Sequence, residues 1–178
     1  GYNKTWYDGN GTNNRAQATA SNQPEIILNV TNGSPTLRFV AASAQTLAGS
    51  NLVFTGAFTL FWVGSNNIND LSAIAGSSDI AGGGFIGWSN AHQFRVQTDT
   101  IQQILYATMS SLGEKFVLSI TRDGSNLVSL YKNGVLKQAP QVATGTVNLN
   151  IVGGRTQGAN HIYFQGDQCE LTVSSRAN

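Results

Sequence analysis

The sequence predicts an all-β fold, with two antiparallel sheets packed face to face as a β-sandwich or jelly roll. Three observations predict it. Short runs alternate apolar and polar residues, which is the two-residue period of a half-buried strand. Turn-forming dipeptides recur about every 8–12 residues, the spacing of sandwich strands. Almost no stretch carries the 3.6-residue period of an amphipathic helix.

The elements follow in order. Residues 1–22, "GYNKTWYDGNGTNNRAQATASN", are polar and turn-rich. "EIILNV" and "TLRFV" are extended pieces joined by "TNGSP". Residues 41–55 are mixed, with room for one helical turn. "GAFTLFWVG", Gly56 to Gly64, sets Phe58, Leu60 and Trp62 on one face and Phe61 and Val63 on the other. A strand apolar on both faces is expected to be central and covered on both sides, with Trp62 in the core. "LSAIAG", "GFIGW", "HQFRVQTD" and "QILYATM" are four more strand candidates. In "KFVLSIT", Phe116, Leu118 and Ile120 share a face. In "TRDGSNLVSLYKNGVLK", Val128 and Leu130 form the drier face against Leu127, Ser129 and Tyr131. Asp123-Gly124 and Asn133-Gly134 both fit type I′ hairpin turns, which need positive φ. "TVNLNIVGG" and "HIYFQGDQCELTV" close the chain, for about ten strands in all.

At 178 residues one domain spanning 1–178 is expected. Charged residues make up 11%, against a usual ~25%. Asn, Ser, Thr, Gln and Gly supply the polarity instead, as on extracellular or virion proteins. The net charge of +1 and the scattered Arg and Lys leave no electrostatic footprint for nucleic acid. No apolar run approaches the ~20 residues that cross a bilayer. The single cysteine, Cys169, is expected to share a strand face with Leu171 and Val173 as a small buried hydrophobe.

Catalytic patterns are missing. Glycosidases need two carboxylates converging on one bond. The acids here are Glu25, Glu114, Glu170 and six aspartates, and no two stand two apart. Asp167 and Glu170, three apart, would face opposite sides of a straight strand. His92 and His161 are the two histidines, and no Gly-x-Ser-x-Gly elbow accompanies them. No catalytic residue is therefore assigned.

Two binding chemistries remain open. Asp8, Asn10 and Thr12 in "DGNGTN" alternate oxygen donors, a partial echo of a calcium loop. The same run also reads as an Asx-rich turn, and so does "NNIND", residues 66–70. Sugar sites combine an aromatic platform with amides and hydroxyls. Trp88, Asn90 and His92 in "GWSNAHQ" fit that description, and Asn160 and His161 in "QGANHIY" offer a second cluster.

The order of the pieces resembles the concanavalin A-like lectin/glucanase superfamily in its laminin-G-like branch. The residues that carry it are "FTLFWVG", "KFVLSITRDGSNLVSLYKNGVLK", "LNIVGGR" and "FQGDQCELTVSSRA". The stretch "WYDGNGTNNRAQATASNQPEIILNVTNGSPTLRF" is similar to the N-terminal signature of a subgroup found in bacteriophage virion and bacterial surface proteins. The resemblance implies a lectin-like module of a longer chain, non-enzymatic, in a capsid-decoration or tail-fibre role. It implies virion or extracellular location, contacts to other virion subunits or copies of itself, contact with a cell-surface glycan, and calcium as a possible ligand. Two alternatives stand beside it: a carbohydrate-binding module of a secreted bacterial protein, and a glycoside hydrolase.

Overall fold

The computed structural model describes the chain apart from residues 3, 8–10, 32, 79–83, 91–92, 100–102, 107–108, 110–111, 158–159 and 176–178. At residues 29–31, 103–106 and 157 it describes the backbone alone. The described secondary structure is nearly all β, arranged as two large antiparallel sheets.

Chain order begins with β1 (Thr5–Trp6), β2 (Arg15–Ala16), β3 (Glu25–Thr31), β4 (Ser34–Phe39), β5 (Leu47–Phe54) and β6 (Phe58–Asn66). It continues with β7 (Ser72–Gly76), β8 (Phe85–Asn90), β9 (Gln93–Gln97), β10 (Gln103–Tyr106), β11 (Lys115–Arg122) and β12 (Leu127–Lys132). It ends with β13 (Val135–Val142), β14 (Val147–Val152), β15 (Gly154–Gln157), β16 (Asn160–Tyr163) and β17 (Gly166–Ser174). Two single 3-10 turns, Ala20–Asn22 and Ala41–Ser43, are the helical pieces among the described residues.

Seven strands form one sheet in the order β13-β12-β11-β6-β17-β4-β3. Eight form the other, β1-β2-β5-β14-β7-β8-β9-β10. Hairpin β15–β16 packs beside β7. Neighbouring strands run antiparallel throughout the described pairings, for example β6 with β11 and with β17.

The alternation read from the sequence sets the core. Phe58, Leu60, Trp62, Phe116, Leu118, Ile120, Val128 and Leu130 are all buried. Strand β6 is central as expected, but its second face is not fully covered, because Phe61 is 43% exposed. Nothing packs over that part of the outer face, so Phe61 shows how far a two-faced apolar run overstates burial.

The two turn dipeptides part company. Asn133 and Gly134 take φ of 50° and 77°, as the type I′ reading requires. Asp123-Gly124 does not form such a turn. The Asp123 Oδ1 accepts from the backbone N–H of Ser125 and Leu127, and Asn126 carries the positive φ, 62°. An Asx-type side-chain clasp thus replaces the two-residue turn.

Cys169 also departs from simple alternation. It sits at a register shift of β17 between Gln168 and Glu170, is only partly buried, and lies 3.4 Å from the Thr36 Oγ1.

Candidate functional site

Trp88 cannot be the sugar platform. It is 1% exposed and lies in the inter-sheet core. Its ring meets Phe94 edge to face at 5.2 Å and stacks near Phe164 at 6.3 Å. The run Phe85–Trp88 is buried at every position. Trp88 points inward, and Phe85 packs with Ala73 and Ile162 in a second small cluster. Asn90, at the end of β8, is exposed, and His92 lies outside the described residues. The expected Trp88–Asn90–His92 cluster therefore has no aromatic platform.

Asn160 and His161 are exposed on β16. The His161 ring stacks on Tyr163, centroids 6.0 Å apart and planes 11° off parallel, and its Nδ1 is 3.4 Å from the Thr156 Oγ1. This is a small polar ledge on a separate two-stranded sheet.

Of the calcium-loop residues, Asp8 and Asn10 lie outside the described residues. Thr12 is exposed, and its Oγ1 accepts from the Asn13 amide at 3.2 Å. In "NNIND", the Asn66 amide donates to the Ile68 carbonyl, and the Asp70 Oδ1 accepts from the Leu71 N–H. Those bonds are the turn pattern. Among the described residues no three His, Cys, Asp or Glu side chains cluster.

The bulge in β17 changes the carboxylate geometry expected of a straight strand. Asp167 pairs with Ser65 and Glu170 with Val63, two positions of equal parity on β6. The extra residue thus turns both carboxylates to one side of the sheet. Asp167 is nonetheless committed: the Arg38 Nε and Nη2 donate to its two oxygens at 2.7 and 3.0 Å. Glu170 accepts from the Thr172 hydroxyl at 3.0 Å.

A concave site lies on the flank of the sandwich. Strand β4 pairs with β17 only through Gly166, Asp167 and Gln168 and then turns away. Strand β2 touches β5 in register only at Ala16 and Ala48. One strand edge of each sheet is thereby left beside a cleft of about 660 Å³. That volume is within the usual range of ligand pockets, about 300–1,000 Å³. Its lining is apolar at Phe54, Leu149 and Leu171 and polar at Tyr7, Asn13, Arg15, Glu170 and Thr172.

Trp6 lines this cleft and also an adjoining hollow of about 190 Å³ reached between Ile26, Pro35 and Gln168. Trp6 is half-buried, and Tyr7 is 72% exposed. Gln168 is fully buried, yet neither its amide nitrogen nor its oxygen has a hydrogen-bond partner. A buried amide without partners is a costly feature. In the sequence "WYDGNG" belongs to a polar, turn-rich stretch. The site was hidden because its walls come from positions about 160 residues apart, counted from Trp6 to Gln168.

No family model matches the chain, and no curated protein matches its sequence. Solved structures do match its fold. The binding domain of Paraclostridial Mosquitocidal Protein 1 aligns with a TM-score of 0.61 at 16% identity, over 96% of this chain and 45% of that one. Domain 4 of AbnA, an extracellular arabinanase from Geobacillus stearothermophilus solved with arabinotriose, aligns at 0.56 and 16% identity, over 84% and 74%. CBM40 of the Ruminococcus gnavus IT-sialidase, solved with α2,3-sialyllactose, aligns at 0.56 and 14% identity, over 70% and 79%. These likenesses define the class by its fold, a jelly-roll β-sandwich. The chain spans less than half of the mosquitocidal protein structure.

Proposed function

We propose that this protein is a non-enzymatic, lectin-like module that binds glycan in the flank cleft. The observation that carries the reading is Trp6, which lines the cleft together with Tyr7, Asn13, Glu170 and Thr172 and also lines the adjoining hollow where the Gln168 amide has no partner. Sugar rings stack on aromatic faces and satisfy their hydroxyls with amides, charged groups and hydroxyls. Two fold neighbours, CBM40 and the AbnA domain, were solved with saccharides, which supports the same use here. The non-enzymatic reading is supported by Asp167, whose two oxygens are both engaged by Arg38.

The wider role we propose is attachment, as a capsid-decoration or tail-fibre module among other copies or subunits of a virion. It rests on the sequence resemblance given above. The saccharide-bound neighbours favour the second reading, a carbohydrate-binding module of a secreted bacterial protein. An antibody raised against the module and applied to particles separates the two: labelled virions support the first, unlabelled ones the second.

The binding test is a glycan array on the purified protein, with and without calcium. Substituting Trp6→Ala or Tyr7→Ala should weaken any hit by about 1–3 kcal/mol, the scale of a lost aromatic anchor. Unchanged affinity in both variants would remove the cleft as the site, and an array without hits would remove the function.

A further inference from the structure

The chain buries arginines at several places and solves the problem differently at each. Arg122 is fully buried, and its three guanidinium nitrogens donate to the carbonyls of Gly56, Gly145 and Phe54 at 2.7, 2.8 and 3.0 Å. Arg38, whose side chain is only partly covered, forks onto Asp167. Such partners are what a buried guanidinium needs.

Arg95 and Arg155 lack them. Arg95 is on β9 and Arg155 on β15, and both guanidinium carbons lie over the same ring, that of Phe85, at 4.3 and 5.5 Å from its centroid. Arg155 is 2% exposed, and among the described residues its guanidinium makes one long bond, from Nη1 to the Gln97 Oε1 at 3.3 Å. Its Nε and Nη2 are buried without partners, as is the Nε of Arg95. Neither has an ion-pair partner among the described residues. Two like charges thus lie against one aromatic ring. The ring quadrupole attracts both, but it does not accept hydrogen bonds in the fork geometry that guanidinium offers. Each charge also opposes the other: Arg95 is pushed down to about 10, first by burial and then by the charge of Arg155.

We infer that Arg95, Arg155 and Gln97 form an oxyanion site beside Phe85, built for a carboxylate or sulfate group. An anion there accepts the partnerless N–H groups of both forks and cancels the repulsion between them. Arg95 is the half-buried member, so it is the entrance, and Arg155 is the closed end. Two sources share this chemistry: a free inorganic anion, and the acidic group of a saccharide. The site is separate from the flank cleft, and it stands or falls independently of glycan binding at Trp6.

The test is thermal unfolding of the intact protein with three additives at matched ionic strength: sodium sulfate, an oligogalacturonate, and a neutral oligosaccharide of equal length. Sulfate stabilises proteins generally by exclusion from their surface, so the readout is wild type against Arg95→Gln. A specific anion at a hundredfold excess over its Kd should raise the melting temperature by roughly 5–10 °C. That rise should vanish in Arg95→Gln. As a second readout that needs no folded Arg155 variant, the arginine Nε–H resonances of Arg95 and Arg155 should shift on titration into wild type. A response to oligogalacturonate at lower concentration than to sulfate places the source on a saccharide. A response to sulfate alone places it on a free ion. Equal shifts in wild type and Arg95→Gln, with the Nε–H resonances unmoved, would overturn the site.

Discussion

The indoles of Trp62 and Trp88 meet edge to face across the two sheets, centroids 5.8 Å apart and planes 70° apart. Trp62 comes from the centre of the seven-stranded sheet and Trp88 from the eight-stranded one, so this contact joins the two layers. Phe116 and Phe164 pack against both rings. Both indole nitrogens are buried without hydrogen-bond partners.

Trp88 therefore governs stability. Trp88→Ala should cost about 3–5 kcal/mol, the range for emptying a large core site. Trp88→Phe should cost less. Denaturant unfolding measures both. Protein of either variant that still folds should keep its glycan affinity, since Trp88 touches no solvent.

The fold was legible where one face of a strand is buried and the other is not. Phe116, Leu118 and Ile120 announce their face, and so do Val128 and Leu130. Strand β5 was read as mixed because only its two ends, Leu47 and Phe54, are buried while the residues between face outward or sit half-covered. Trp88 was misplaced for a related reason. Hairpin β15–β16 covers the outer face near Phe85, so the run Phe85–Trp88 is apolar on both sides and carries no mark of which side is core. The bulge at Cys169 was invisible because one extra residue in a strand leaves no compositional trace. The Arg95–Arg155 pair and the flank cleft were out of reach for a different cause: both are assembled from distant strands.

Gly153 should resist substitution. Its φ is 78°, and a Cβ there would run into the ring of Phe39. Gly153→Ala faces about 1–2 kcal/mol for the left-handed backbone and roughly 1–3 kcal/mol for overpacking. A melting temperature lowered by several degrees, with Gly124→Ala as the open-space control, is the expected result.

Asp167 and Glu170 stand on one side of the sheet, so the hydrolase reading has a direct check. Purified protein incubated with β-glucans or host polysaccharide should release no reducing sugar. Asp167→Asn should lower stability through the broken Arg38 fork, and Glu170→Gln should leave it nearly unchanged, because Glu170 is exposed and bonds only its neighbour Thr172. Sugar release that either substitution abolishes would establish catalysis instead.

The last prediction concerns pH and follows from Arg95. The fold holds this group down to about 10, while the unfolded chain keeps it near its ordinary, higher value. Below pH 10 both states are protonated, and the folded state carries the full penalty of a buried, repelled charge. As pH rises through about 10, the folded state loses its proton first and the unfolded state still holds one. The unfolded chain then binds more protons, so this group's contribution to stability rises with pH. Removing the charge should act the same way at neutral pH. In a chloride buffer at pH 7, Arg95→Gln should melt no lower than wild type, and its advantage should shrink as pH passes 10. Parallel melts of both proteins from pH 7 to 11 measure this; a variant that is less stable at pH 7 without added anion would show that Phe85 and Gln97 already compensate the charge. Adding an oxyanion that fills the site should reverse the order at pH 7, because only the wild type keeps both arms of the fork.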